Sequence, residues 1–139
     1  MIVEESILKQ ISEELLCGSK VFLHRETGDI ITIRDVDLFL DEKDPWEDDR
    51  RKVDADRDKY LEFDPMESRE SYQMMQDFID QLDEGLLADR LVNAIQKKRP
   101  FAHFNAEVDD SGPYREKWFH FRDQRYLEWT REQWEAQIQ

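Results

Sequence analysis

Four residues have the types and spacing to bind a metal. His103 and Glu107 lie four apart, and so do Glu116 and His120. On a helix each pair shares a face, because residues four apart are surface neighbours. Two imidazole–carboxylate pairs on facing helices could hold a divalent cation. The plainer reading is local hydrogen bonding on a charged surface, since the spacing is not the Glu-x-x-His of carboxylate-bridged bundles. Cys17 has no basic neighbour nearer than Lys20. It falls at an expected helix C-terminus, where the dipole disfavours a thiolate, so it reads as a buried, inert thiol. The four glycines are scattered and form no phosphate loop, and no serine stands in a nucleophile elbow. No catalytic residue is assigned, and no cofactor is expected.

Two further stretches could bind rather than react. Asp41, Asp44, Glu47, Asp48 and Asp49 could gather calcium, but the run lacks the glycine and ligand rhythm of an EF-hand. It reads instead as a solvated acidic segment. Trp46 within it either tucks back onto the core or waits for a partner, and the first is favoured. Trp46, Asp48 and Asp49 are the partner-binding candidates. The other stretch is Lys97-Lys98-Arg99-Pro100-Phe101-Ala102-His103-Phe104, where cations and rings crowd together. Lys97, Lys98 and Arg99 precede an expected helix start, and free N–H groups, dipole and cations converging there would suit an anion. The favoured reading is that they end the preceding helix and offset its dipole, as cations at helix C-termini ordinarily do. Phe101 and Phe104, three apart, are both expected in the core, as are Met75, Phe78, Leu91 and Trp118.

The elements that must position these residues follow from periodicity. A helix over about 4–17 carries a stripe of Ile7, Leu8, Ile11 and Leu15, and Gly18 stops it. Strands are expected at Lys20–His24, with Val21 and Leu23 on one face, and at Ile30–Ile33. They are joined by the turn Glu26-Thr27-Gly28-Asp29. Residues 41–58 read as a mobile, charged excursion with little apolar anchor and at most a solvated helical turn. A third strand follows at Lys59–Phe63. From Ser68 the period turns helical. Tyr72, Met75, Phe78, Ile79 and Leu82 share one face. Asp83 is placed to cap a second helix bearing Leu87, Leu91, Ala94 and Ile95. Pro100 opens a third, Asp110-Ser111-Gly112-Pro113 breaks it, and a last helix runs over about 114–136.

The chain of 139 residues is expected to form a single α+β domain, a small antiparallel sheet packed against a helical C-terminal half. Residues 1–66 supply one helix, the sheet and the excursion, and 67–139 the helical part. The net charge is −14. Through Gln96 there are 12 Lys/Arg against 26 Asp/Glu, whereas the remainder carries 8 of each. The excess therefore sits in the first two thirds, and the tail is neutral and ring-rich. Such acidity repels nucleic acid and anionic lipid over most of the surface. One cysteine, no basic-then-apolar leader and no membrane-length apolar run point to a soluble cytoplasmic protein.

Four phrases carry a resemblance to the bacterial uncharacterised protein family UPF0158. They are Tyr60-Leu61-Glu62-Phe63 with Pro65; Tyr72-x-x-Met75-x-x-Phe78-Ile79; Leu91-x-x-Ala94-Ile95 followed by Pro100-Phe101-x-x-Phe104; and Trp118-Phe119-x-Phe121-Arg122-Asp123. Their order and spacing span about half the chain. The family pattern often has Gly-Ala-Phe-Arg-Arg-Phe where this chain has residues 99–104. Its two arginines are thus Ala102 and His103 here, while basic residues remain just upstream. The resemblance implies a cytoplasmic single-domain protein and supplies no reaction. The expected function is a non-catalytic, acidic cytoplasmic module that binds a protein. A nucleic-acid or phosphate-ligand binder working through Lys97–Arg99 is the alternative, and a metal-dependent or hydrolytic enzyme the second.

Overall fold

The computed structural model describes residues 4–34 and 46–138. In chain order the elements are α1 (Glu5–Leu16), β1 (Ser19–His24), β2 (Ile30–Arg34), α2 (Glu47–Ala55), a 3-10 turn (Arg57–Lys59), β3 (Tyr60–Phe63), α3 (Ser68–Gln81), α4 (Leu86–Ile95), α5 (Pro100–Asp109) and α6 (Tyr114–Ile138). The fold is α+β, with the strands in the first half and the second half helical. The residues group into two compact units: Met1–Pro65 together with Tyr126–Gln139, and Met66–Arg125. The last turns of α6 therefore belong with the sheet.

In the first unit β1 is the central strand, antiparallel to β2 on one side and to β3 on the other. Gly18 takes a left-handed φ of 90°, which ends α1 and turns the chain straight into β1. One sheet face carries Val21, Leu23, Leu61 and Phe63, all fully buried, and α1 packs on β1 with Leu8, Ile11 and Leu15 buried. The other face is buried as well, which alternation in β1 alone does not anticipate. Phe22, Ile31, Ile33 and Tyr60 cluster there with Val53 of α2, and Trp46 packs against them. The expectation of a weakly anchored excursion is therefore corrected over its described part: α2 forms, and Val53 anchors it at 1% exposure. Mixed charges conceal this helix, because one large apolar residue in nine draws no stripe. Its stability comes from the tertiary contact. Of the acidic run, Asp41 and Asp44 lie outside the described residues.

In the second unit α3 and α4 pack together, as do α4 and α5. Their core holds Met74, Met75, Phe78, Leu91, Ala94, Phe104, Val108 and Trp118, all buried. Phe78 meets Phe104 and Trp118 edge-on, with centroids 6.4 and 5.2 Å away, and Phe104 meets Trp118 at 4.7 Å. Each such pair contributes about 0.5–1.5 kcal/mol beyond area burial. Three sequence expectations are corrected. Phe101 is 36% exposed: it shares a helix face with the buried Phe104 and Val108 but stands at the end of that face, in the first turn of α5. Cys17 is exposed beyond the end of α1. Asp83 does not cap α4, whose N-cap is Gly85, with no side-chain capping bond.

Candidate functional site

The α4–α5 hairpin sets the geometry of the basic corner. α4 ends at Ile95, whose carbonyl accepts a 3.0 Å bond from the Tyr72 hydroxyl. The N–H groups of Gln96 and Lys97 close the helix on Asn93 O and Ala94 O. Arg99 then reverses the chain at φ 56°, ψ 59°, the left-handed region that L side chains rarely adopt, and α5 begins at Pro100. The Arg99 carbonyl accepts from the His103 N–H at 3.2 Å. Lys97, Lys98 and Arg99 are all exposed. Pro100 lacks an N–H, so only Phe101 and Ala102 present free donors in the first turn of α5. Phe101, two residues after Arg99, is 36% exposed, and α4 leaves Leu86 68% and Val92 38% exposed.

Arg115 and Arg122 flank Phe119, their guanidinium carbons 4.7 and 4.8 Å from its centroid. Lys117 instead leans on Tyr114, 4.9 Å away. Arg115 is also paired with Asp109 at 3.2 Å, and Arg122 with Asp123 at 3.2 Å.

The metal candidates divide. Glu116 and His120 line a groove of about 570 Å³ with Gln81, Lys117, Phe121 and Gln124. His103 and Glu107, on α5, are not part of that lining. Among the described residues no three His, Cys, Asp or Glu side chains are grouped to hold a metal ion. Of the acidic-segment candidates, Asp48 is exposed, Asp49 is half-buried in the first turn of α2, and Trp46 is packed on the sheet. No helix among the described residues is long and apolar enough to cross a membrane.

Two constellations have no counterpart in the sequence reading. Under α2, Lys20, Phe22, Ile33, Arg50, Val53, Asp54 and Arg57 line a 190 Å³ pocket. Arg57 lies over the Phe22 ring at 5.6 Å. Glu62 accepts from Lys20 at 2.6 Å and from Arg57 at 3.2 Å, and Arg57 also pairs with Asp54 at 2.9 Å. Partial burial opposes ionisation of Glu62, but the Lys20 ammonium and the Arg57 guanidinium outweigh it and hold the carboxyl below its ordinary range. Through the same bond to Glu62, Lys20 is raised. These cations are thus internally neutralised, and the cluster ties β1, β3 and α2 together. The second constellation is Trp129, Gln133 and Gln137 of α6 against β3. Its only trace in the sequence is one amide four residues from another.

The sequence profile of an uncharacterised protein family, UPF0158, matches residues 2–138. The UPF0158 protein PA5073 of Pseudomonas aeruginosa is 26% identical over 78 residues, 56% of this chain and 51% of that protein. The chain thus spans about half the length of this curated relative. No solved structure matches the chain. With the profile running from the second residue to the penultimate one, the chain belongs to the uncharacterised protein family UPF0158.

Proposed function

We propose that the chain is a non-catalytic, cytoplasmic interaction module that binds a protein, and that the α4–α5 hairpin is the contact surface. The observation that carries this reading is a coincidence on one short element. Three of the exposed large apolar residues, Leu86, Val92 and Phe101, fall within residues 86–101. The same residues hold four cations, Arg90, Lys97, Lys98 and Arg99, against one carboxylate, Asp89. Apolar side chains give a protein interface its affinity, and rim charges give it orientation and on-rate. In a chain of net charge −14, a locally cationic, partly apolar hairpin fits an acidic protein surface that offers an apolar anchor site. Trp46 is withdrawn from the role of anchor, being packed on the sheet.

The test is comparative capture from a bacterial lysate on three immobilised proteins: the parent, a Leu86→Glu, Phe101→Glu variant, and an Asp48→Lys variant. The reading expects an acidic protein that is enriched on the parent, retained by Asp48→Lys and lost from the hairpin variant. Loss with Asp48→Lys instead would move the surface to α2. Recovery of no protein that depends on the hairpin would overturn the proposal.

A further inference from the structure

The connection between β1 and β2 is a single helical turn, and a histidine caps it. The Gly28 N–H donates to the His24 carbonyl at 3.0 Å, the four-residue bond of a helix, and the His24 N–H donates across to the Asp29 carbonyl at 2.8 Å. A helical turn leaves the N–H groups of its first residues without a backbone partner. Here the Glu26 and Thr27 N–H groups both donate to His24 Nδ1, each at 3.1 Å. Capping positions ordinarily hold serine, threonine, asparagine or aspartate, whose side-chain oxygen accepts those bonds. An imidazole differs from all four in one respect. Its nitrogen accepts only while it carries no proton. With Nδ1 accepting twice, the hydrogen of the neutral ring belongs on Nε2.

We infer that His24 is a proton-operated latch on the β1–β2 turn: the neutral ring closes the turn, and the protonated ring releases the Glu26 and Thr27 amides. A proton on Nδ1 would face both donors, so the ring must leave the cap. The surrounding charges decide where it goes. Its own turn carries Arg25, Glu26 and Asp29, all exposed. β2 opens with Ile30-Ile31-Thr32 and offers no titratable group there. From β3, Tyr60 pairs with His24 and meets its ring edge-on, centroids 5.0 Å apart, and Glu62 follows on the same face. The 3-10 turn brings Arg57, Asp58 and Lys59, and the Lys59 carbonyl accepts from the Arg25 N–H at 2.8 Å. None of these forms an ion pair with His24 among the described residues. Nothing therefore holds a charged ring in the capping position. Glu26 and Asp29 are the carboxylates nearest to it along the chain, and an imidazolium that turns Nδ1–H to either one abandons the cap. Histidine ordinarily changes charge between about pH 5 and 8, which sets the range over which the latch opens.

The experiment is NMR on the full chain from about pH 8 to pH 5, above the ordinary titration range of carboxylates. It compares the parent with His24→Asn. Asparagine places an acceptor oxygen where Nδ1 stands and does not titrate. At the alkaline end, long-range proton–nitrogen spectra of the parent should show Nδ1 bare and Nε2 protonated. As the ring gains its proton, the Glu26 and Thr27 amide protons should move upfield in step with it. Their exchange with solvent, corrected for the pH dependence of an unbonded amide, should quicken about two- to tenfold. In His24→Asn both amides should hold their positions over the same range. An Nδ1–H tautomer at the alkaline end would overturn the inference. So would parent amides that ignore the ring's titration, or amides that shift alike in His24→Asn. The tautomer and the amide shifts are read on the parent alone, so they decide the matter even where the variant fails to fold.

Discussion

Arg99 stands in a backbone conformation that costs an L residue free energy, so replacing it should stabilise the protein. At φ 56° and ψ 59° its Cβ crowds the following carbonyl, a strain of about 1–2 kcal/mol. Glycine removes the strain but enlarges the conformational freedom of the unfolded chain, which takes back about 0.4–1 kcal/mol. Arg99→Gly should therefore gain about 0.5–1 kcal/mol. The side chain itself contributes nothing that offsets this, because it is exposed and forms no ion pair among the described residues. For a chain of this size the gain corresponds to a rise in Tm of about 2–4 °C. Arg99→Ala is the control, since it removes the same charge and keeps the Cβ. It should stay within about 0.5 kcal/mol of the parent. Urea titrations followed by far-UV CD, together with thermal melts, measure all three proteins. If Gly and Ala shift stability equally, the effect comes from the charge and the strain argument fails. If Gly is less stable than the parent, the left-handed assignment itself is refuted.

Phe104→Ala empties the centre of the Phe78–Phe104–Trp118 cluster and should cost about 3–5 kcal/mol; a variant melting with the parent would take these rings out of the core. Val53→Asp should detach α2 from the sheet, so that limited trypsin digestion cuts at Arg50, Arg51 or Lys52 well before it does in the parent; equal rates would show that Val53 is not the anchor. Glu62 is held below its ordinary pKa against burial by Lys20 and Arg57, and Asp77 by Gln73 and then Arg125. Carboxylates depressed in the folded state add stability that is fully present above their unfolded values and disappears as pH falls through the folded ones. Stability should accordingly drop below about pH 4.5, and Glu62→Gln with Asp77→Asn should flatten that limb; an unchanged slope would mean that these pairs do not hold in solution. Fluorescence anisotropy with labelled oligonucleotides should detect no binding at physiological salt, because the acidic bulk opposes it. Tight, salt-sensitive binding lost in a Lys97→Glu, Arg99→Glu variant would reassign the basic corner to nucleic acid.

Helices with an unbroken apolar stripe, and turns that demand a special residue, can be read from the chain alone. Ile11 and Leu15 on α1, Gly18 at its end, Phe78 and Ile79 on α3, and Pro100 at the start of α5 were all legible, because periodicity and backbone chemistry act within one turn of chain. The phrases at Tyr60–Phe63 and Trp118–Asp123 were enough to place the family. Features that depend on a partner far along the chain emerge only from the folded arrangement. Phe22 and Ile31 are buried because α2 returns to cover their face, and a helix anchored by Val53 alone has no stripe to announce it. Phe101 and Phe104 have the same chemistry three residues apart, yet only Phe104 points at Trp118. Gln133 and Gln137 read as ordinary surface amides until β3, some 70 residues earlier, is laid beside them. Local spacing encodes which faces a segment has. Which of those faces is covered, and by what, is set by long-range packing, whose free energy is shared among residues that no short window contains.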